Sequence, residues 1–228
     1  MILDNITDVF FDLDHTLWDF EKNSALALES VLAKHQVSVA LEDFLLHYSP
    51  LNYAYWEKFR KDEITQAELR YGRLKDTFDL LGYEISDEMI DLISDDYITQ
   101  LPDNNHLFDG AIEVLDYLSA NYRLHIITNG FHGIQGRKLD NSKITHYFQT
   151  VTNSESAGAK KPNKVIFDHA LQVSGAERSK SIMIGDCIEA DVRGALDCGF
   201  YAILFHEIPC GDANITQISK LIEIKNYL

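Results

Sequence analysis

The sequence predicts an α/β fold, in which helices cover a Rossmann-like parallel β-sheet and a helical domain is inserted into the chain. Three observations lead to this prediction. Short apolar runs of strand length alternate with amphipathic, helix-like segments along most of the chain. One long stretch between the first and second runs has a helical period throughout. Acidic residues or a threonine end or follow several runs, at the position where open α/β sheets carry their sites.

The apolar runs predict five strands, rich in β-branched and aromatic residues as in sheets buried on both faces. The first covers residues 6–11 and ends at Asp12-Leu13-Asp14. The others are expected at residues 123–128, 148–152, 181–185 and 201–205. Amphipathic segments predict covering helices at residues 111–118, 165–173 and 190–198, the last of them ended by Gly199.

The stretch between the first two predicted strands is too long for a single crossover helix. Thr65 and Glu68 have the spacing of a capping box, and Ser86 can cap a further helix. With residues 20–34 added, the periodicity predicts a bundle of about four helices. We therefore expect an α/β core of residues 1–16 and 102–228 and a helical domain of residues 17–101.

The charge of the chain limits its partners. The formal net charge is −16 and the sequence pI is near 4.8. This field repels polyanions, so we expect neither a nucleic-acid polymer nor an anionic membrane as a partner. A small anionic substrate would need a local positive site, made by a metal ion, a lysine or helix N-termini.

The cysteines and the N-terminus predict a cytoplasmic protein. Cys187, Cys198 and Cys210 are odd in number and lack CxxC spacing, which favours reduced thiols. Residues 1–11 contain acidic residues and neither a basic start nor a long apolar run. No signal peptide or membrane anchor is therefore expected there.

Candidate site residues follow the predicted strands. They are Asp12 and Asp14, the turn Thr128-Asn129-Gly130, and the acids Asp186 and Asp191. Such a cluster of carboxylates needs a divalent cation, and an all-oxygen ligand set suits Mg²⁺ better than Zn²⁺. Because Asp12 and Asp14 alternate along the chain, one can attack while the other handles protons.

Lys161 is the candidate cation for holding a phosphate against the attacking carboxylate. It directly precedes Pro162 and a predicted helix. The alternative is that Lys160 and Lys161 form an ordinary solvated pair in a loop.

These residues resemble the haloacid dehalogenase superfamily. Asp12-Leu13-Asp14-His15-Thr16, Thr128, Lys161 and residues 185–191 match its four motifs in order. The helical insert lies where that superfamily carries its first type of cap. The family usually has Lys-Pro-Asp-Pro where this chain reads Lys161-Pro162-Asn163-Lys164.

A finer resemblance points to the pyrimidine 5′-nucleotidase branch that acts on non-standard nucleotides. It rests on residues 11–20, on residues 128–131, and on Asn52, Trp56, Ile64-Thr65 and Arg73 in the insert. The resemblance implies a small phosphorylated metabolite, a nucleoside monophosphate, as substrate. It also implies that Trp56 and Arg73 contact this substrate. The alternatives are that Trp56 only packs in the bundle and that Arg73 makes a surface ion pair.

The family resemblance implies an aspartyl-phosphate mechanism. Asp12 would attack phosphorus, and Asp14 would protonate the leaving oxygen and later deprotonate water. Thr128 and the Asn129-Gly130 turn would hold phosphoryl oxygens, while Lys161 stabilises transition-state charge.

The same resemblance implies a Mg²⁺ site. The ligands would be the Asp12 carboxylate, the Asp14 main-chain carbonyl and Asp186. Asp191 would be a direct or more distant acid, or would only favour the start of the helix that follows.

Rival functions remain open from the residues alone. A sugar-phosphate phosphatase or a sugar-phosphate mutase would keep all the acids. A haloacid dehalogenase has no leaving alkoxide to protonate, and Asp14 argues against it. A phosphoacceptor signalling module also combines acids, a threonine and a lysine at strand ends, but its single compact domain leaves no place for the helical insert.

Overall fold

The computed structural model describes residues 5–228, so residues 1–4 of the predicted core and N-terminal segment lie outside the described part. Contacts divide the chain into two compact units. The α/β unit consists of the chain up to Phe20 together with Asn105–Leu228, and the helical unit is Glu21–Asn104. The boundaries between the two units, after Phe20 and after Asn104, lie a few residues beyond the predicted boundaries at residues 16 and 101.

The α/β unit contains a six-stranded sheet, and the predicted fold class is confirmed. Its strands are β1 (Asp8–Phe11), β2 (Arg123–Thr128), β3 (Phe148–Asn153), β4 (Ser181–Gly185), β5 (Tyr201–Phe205) and β6 (Gln217–Ile218). The strands are parallel and lie in the order β3-β2-β1-β4-β5-β6. The sequence did not predict β6, whose two residues are too few to give a hydrophobic pattern.

The described helices are α1 (Phe20–Lys34), α2 (Leu41–Arg60), α3 (Gln66–Leu80), α4 (Asp87–Gln100), α5 (Ala111–Ser119), α6 (His132–Asn141), α7 (Ser154–Ala157), α8 (Lys164–Ser174) and α9 (Gly194–Asp197). The prediction of one helix over residues 190–198 is wrong in detail. A π-helix over Ile188–Arg193 precedes α9, and the Val192 N–H donates to the Cys187 carbonyl across this wider turn at 3.2 Å. A single amphipathic period does not reveal such a turn.

The helical unit is built from most of α1 and from α2, α3 and α4. The predicted capping box begins α3, since the Thr65 hydroxyl accepts from the Glu68 N–H and the Thr65 N–H donates to Glu68 Oε2 at 2.7 Å. The Ser86 hydroxyl caps α4 as expected. Phe44 and Phe78 are fully buried between α2 and α3, with ring centroids 5.3 Å apart.

The centre of the sheet is β1, which pairs with β2 on one side and β4 on the other. Phe11 lies opposite Ile126 and Ile184, and its side chain is fully buried. The chain leaves β1 toward one half of the sheet and later returns to build the other half. The carboxyl ends of β1 and β4 therefore form the switch point at which ligands bind in open α/β sheets.

Within residues 5–228, none of the helices combines the length and the apolar character that crossing a bilayer demands.

Candidate active site

The residues that end or follow β1, β2 and β4 lie at the carboxyl edge of the sheet. Asp12 continues from β1, and its N–H donates to the Ile184 carbonyl of β4 at 2.9 Å. The chain then turns tightly, with the Trp18 N–H donating to the Leu13 carbonyl at 2.8 Å and His15 at a φ of 61°. Histidine is among the residues that tolerate this left-handed region better than most.

Lys161 lies at the centre of the predicted site, with 2 % of its surface exposed. Its Nζ donates to Asp12 Oδ1 at 2.7 Å, to Asp191 Oδ1 at 2.6 Å and to the Ile127 carbonyl at 2.7 Å. These three bonds use all three ammonium protons. The alternative that Lys161 belongs to a solvated loop pair is therefore wrong.

Asn129 fixes the backbone that carries Lys161. The Lys161 N–H donates to Asn129 Oδ1 at 2.7 Å, and Asn129 Nδ2 donates to the Lys161 carbonyl at 3.1 Å. The turn after β2 thus holds the loop before α8 through a pair of side-chain bonds.

Three carboxylates meet beside this ammonium. One oxygen from each of Asp12, Asp186 and Asp191 lies within 4.8 Å of the other two. Burial raises the pKa of Asp12 from 3.8 to about 8. The Lys161 ammonium opposes this increase, and the negative charges of Asp191 and Asp186 add to it. Burial and the Asp191 charge likewise raise the pKa of Asp186 to about 7. Burial alone lowers the pKa of Lys161, but Asp12 and Asp191 raise it above its ordinary value.

This charge balance fits a divalent cation. Three carboxylates share one ammonium, and the raised pKa values of Asp12 and Asp186 show that the ionised forms of these two residues are under-compensated. All the donors are oxygens, the ligand type that Mg²⁺ prefers.

Asp191 is held by two donors in addition to its place in the π-helix. Its Oδ1 accepts from Lys161, and its Oδ2 accepts from the Cys187 N–H at 3.0 Å. This N–H belongs to the residue that precedes the π-helix, so the role of Asp191 at a helix start stays a prediction beside that of a metal ligand. Gly185 provides the space, because a Cβ there would lie 2.4 Å from Asp191 Oδ2.

Thr128 has a buried hydroxyl that accepts two hydrogen bonds. The donors are Gln135 Nε2 at 2.7 Å and the Gly130 N–H at 3.0 Å. Its own proton remains available to donate to a ligand oxygen. A Cβ on Gly130 would lie 2.3 Å from Gln135 Nε2, so glycine leaves room for that side chain.

Asp14 is bound by two residues of α6. Lys138 Nζ lies 2.5 Å from Asp14 Oδ1, and Gln135 Nε2 donates to Asp14 Oδ2 at 2.9 Å. The predicted site does not include these two residues. The signal that could have identified them is the three-residue spacing, which places Gln135 and Lys138 on one face of the helix that begins just after Thr128.

The structure thus brings together the eight predicted site residues of the α/β unit. They are Asp12, Asp14, Thr128, Asn129, Gly130, Lys161, Asp186 and Asp191. The other two, Trp56 and Arg73, lie on α2 and α3 of the helical unit.

Arg73 is 2 % exposed, and the alternative of a surface ion pair is wrong. Its guanidinium donates to Asn52 Oδ1 at 2.7 Å and lies over the rings of Tyr48 and Tyr97. Trp56 is half-buried and packs edge-on against Phe59, with ring centroids 5.6 Å apart.

A protein-family model that matches most of the chain describes a family of hydrolases. The family described as haloacid dehalogenase-like hydrolase matches residues 8–199.

Curated relatives are similar over nearly the whole chain. Pyrimidine 5′-nucleotidase YjjG of Escherichia coli is 31% identical, covering 96% of each chain. Pyrimidine 5′-nucleotidase PynA of Streptococcus pneumoniae is 30% identical, covering 96% of this chain and 91% of its own. A glyceraldehyde 3-phosphate phosphatase of Methanothermobacter thermautotrophicus is 31% identical, covering 96% of this chain and 98% of its own.

A similar solved structure is that of the HAD-hydrolase YfnB of Bacillus subtilis bound to magnesium. It has a TM-score of 0.86 and 26% identity, and the match covers 97% of this chain and 98% of that one.

Proposed function

Because the chain belongs to the haloacid dehalogenase-like hydrolase family, we propose that it is a Mg²⁺-dependent phosphatase of pyrimidine nucleoside 5′-monophosphates. The observation that carries this proposal is the Asp12 carboxylate at the switch point of the sheet. It is paired with a buried Lys161, and Asp14 follows two residues later.

Asp12 is the proposed nucleophile. Its Oδ1 is bound to Lys161, which leaves Oδ2 to attack phosphorus. An O–P bond to Asp12 forms while the bond from phosphorus to the leaving oxygen breaks, and Asp14 gives its proton to that oxygen. Water then attacks the aspartyl-phosphate, Asp14 takes up its proton, and inorganic phosphate leaves with Asp12 restored.

Thr128 and Asn129 are proposed to hold the transferred phosphoryl group, and Lys161 is proposed to stabilise its charge. The Thr128 hydroxyl retains a proton for a phosphoryl oxygen, and the Asn129 N–H is a second donor. The Lys161 ammonium is fixed beside the proposed nucleophile, and because its three protons are already bound, it would stabilise charge on the phosphoryl oxygens through its positive charge.

The Asp12 and Asp186 carboxylates and the Asp14 carbonyl are proposed to hold Mg²⁺, with Asp191 as a further acid. Magnesium bound there would neutralise charge on the phosphoryl oxygens and let three carboxylates stay ionised. The magnesium-bound relative YfnB supports this choice of ion.

The substrate class rests on the relatives. Two similar enzymes of nearly equal length are named for pyrimidine 5′-nucleotides. Trp56 and Arg73 remain the predicted substrate contacts in the helical unit. We propose that this unit acts as a cap domain, the role that the sequence predicts for residues 17–101. A glyceraldehyde 3-phosphate phosphatase is the second candidate, because a relative with that name is as similar to this chain, at 31% identity, as YjjG.

Phosphate release from a panel of esters tests the proposal. The panel contains UMP, CMP, dTMP, AMP, glyceraldehyde 3-phosphate, a hexose phosphate and 4-nitrophenyl phosphate, each with Mg²⁺ or with EDTA. We expect Mg²⁺-dependent release, with the highest kcat/KM on a pyrimidine nucleotide. Preference for glyceraldehyde 3-phosphate would support the second candidate, isomerisation of the hexose phosphate a mutase, and no release from any ester would overturn the proposal.

We also propose a cytoplasmic location. No disulfide joins Cys187, Cys198 and Cys210, which fits a reducing compartment. Labelling of the three thiols in freshly lysed cells, under denaturing conditions that expose the buried Cys198, would test it, since full labelling without a reductant is expected.

A further inference from the structure

Two residues of α6 bind the carboxylate of Asp14, and the proposed reaction assigns neither of them a role. Lys138 Nζ lies 2.5 Å from Oδ1, and Gln135 Nε2 donates to Oδ2 at 2.9 Å. We propose that Lys138 and Gln135 are positioning residues that fix Asp14 for proton transfer. This inference rests on the proposed function and names further residues that the reaction needs.

Lys138 is held in an unusual place for a lysine. It is 2 % exposed, and its Nζ lies 4.2 Å from the Trp18 ring centroid and 5.4 Å from that of Phe20. Burying an ammonium is costly unless a counter-charge and aromatic faces compensate it. Because the surrounding rings restrict the long side chain, Asp14 has a partner at a fixed position rather than a mobile surface cation.

Gln135 connects Asp14 to the phosphate-holding group. The same Nε2 donates to Asp14 Oδ2 and to Thr128 Oγ1, at 2.9 and 2.7 Å. The distance between the proton donor and the phosphoryl contact is therefore set by one planar amide. Gly130 makes this possible, since a Cβ there would meet the Gln135 side chain at 2.3–2.9 Å.

The two bonds orient Asp14 and leave its carboxylate able to transfer a proton. Each carboxylate oxygen has two lone pairs, so each keeps one for a proton after accepting a single bond. Proton transfer requires hydrogen-bond geometry, and misplacement by about 1 Å can cost about 10²-fold in rate. The alternative is that the Lys138–Asp14 pair only stabilises packing of α6, in which case all substrates would suffer equally.

Substrates with different leaving groups distinguish positioning of Asp14 from mere packing of α6. An alkoxide, such as the nucleoside of a monophosphate, needs protonation as it leaves, whereas 4-nitrophenolate does not. The test variants are Lys138→Met and Gln135→Met, which remove the donors and keep apolar bulk. Gly130→Ala is a third variant that displaces Gln135, and Lys143→Met removes an exposed lysine just beyond α6 as the control.

We expect each test variant to lose about 10²-fold in kcat/KM on the alkyl phosphate that the wild type cleaves fastest, and less than about tenfold on 4-nitrophenyl phosphate. The later water step also uses Asp14, so the aspartyl-phosphate should accumulate. A stoichiometric burst of 4-nitrophenolate, absent from the wild type and from Lys143→Met, is expected before the steady state.

A double-variant cycle tests whether the effect passes through Asp14. In an Asp14→Asn background, Lys138→Met should change kcat/KM by no more than about twofold, because the group that it positions is already lost. Equal losses on both substrates, no burst, or a full further loss in that background would overturn the inference. Should Lys138→Met fail to fold, Gln135→Met and Gly130→Ala give the same comparison.

The wild-type arm separates this inference from the proposed function. A wild type that releases phosphate from no ester overturns the proposed function and the inference with it. A wild type that cleaves both esters, with variants that lose activity equally on both, overturns the inference alone.

Discussion

Lys161 shows how a single buried ammonium arranges the carboxylates around it. It contacts the proposed nucleophile Asp12 and also Asp191, and a backbone carbonyl takes its third proton. A charged hydrogen bond of this kind is roughly twice as strong as a neutral one. The nucleophile is consequently held at one position before any substrate arrives.

Asp12→Asn is expected to abolish turnover and to leave the fold intact. The amide has nearly the same shape as the carboxylate but is a poor nucleophile. We expect kcat to fall by at least about 10⁴-fold on every phosphate ester. Wild-type turnover by a purified variant with a native circular dichroism spectrum would exclude Asp12 as the nucleophile.

Gly185→Ala is expected to impair the site through Asp191. The new Cβ would lie 2.4 Å from Asp191 Oδ2, so this carboxylate must shift, and the shift disturbs its bond to Lys161. We expect kcat/KM to fall by about 10²-fold, as for other small displacements of reacting groups. Steady-state kinetics check this, and a variant within about twofold of the wild type would show that the position of Asp191 is not critical.

Helix α6 combines poor helix formers with site residues. Gly133 and Gly136 lie in the helix that carries Gln135 and Lys138, and a Cβ at either glycine would meet nothing within 4 Å. The helix is therefore held in place by its buried face rather than by its intrinsic propensity.

Gly136→Ala is expected to stabilise the protein by about 0.5–1 kcal/mol, since alanine loses less backbone entropy in a helix interior. Urea unfolding measures this difference. Gly185→Ala is the matched comparison, because the same substitution there meets a carboxylate. A lower midpoint for Gly136→Ala would contradict the expectation.

Helix α2 carries Trp56, the predicted contact for the base of a nucleotide. Trp56→Leu keeps apolar bulk against Phe59 and removes the indole ring. Stacking on a base contributes about 1–3 kcal/mol, so we expect kcat/KM on a pyrimidine nucleotide to fall by about 10- to 100-fold. The loss on 4-nitrophenyl phosphate should be smaller.

Tyr53→Leu is the control for this prediction, because Tyr53 is an exposed aromatic residue on the same helix. An equal loss on both substrates by Trp56→Leu would mean that the indole only packs in the bundle.

At the scale of the whole molecule, we expect the buried carboxylates to couple the folding equilibrium to pH and to the proposed Mg²⁺. Asp12 and Asp186 have pKa values of about 8 and about 7 in the metal-free folded state, against an ordinary value of 3.8. At pH values between the ordinary pKa and these raised pKa values, Asp12 and Asp186 keep protons in the folded state that they have released in the unfolded state. The free energy of unfolding should therefore fall as pH rises from about 4 to about 8 in the absence of metal.

Thermal unfolding in EDTA at pH 5.5 and pH 8 tests this expectation, and Tm should be lower at pH 8. The proposed Mg²⁺ site needs ionised carboxylates, so the rise in Tm on adding Mg²⁺ should be larger at pH 8. At ten times Kd the rise corresponds to about 1.4 kcal/mol, or roughly 3–6 °C. Asp186→Asn should reduce both effects, and equal Mg²⁺ shifts at the two pH values would contradict the coupling.

The sequence by itself determined the α/β fold class and the position of the candidate site along the chain. Buried parallel strands require continuous apolar runs, and such runs identified β1 to β5 within one or two residues. The carboxyl ends of parallel strands share one edge of the sheet, so the sequence alone predicted that Asp12, Thr128 and Asp186 lie close together. The capping box at Thr65 could also be predicted from the sequence, because its contacts join residues close together in the chain.

Only the tertiary structure decided which partners hold these groups. Lys138 and Gln135 reach Asp14 across more than a hundred residues of sequence, and Asn129 reaches the Lys161 backbone from another loop. The burial of Arg73 likewise depends on contacts with residues of other helices, Asn52 and Tyr97. Periodicity and motif spacing report the local chain, whereas side-chain hydrogen bonds and the pKa shifts of buried acids depend on which distant segments pack together.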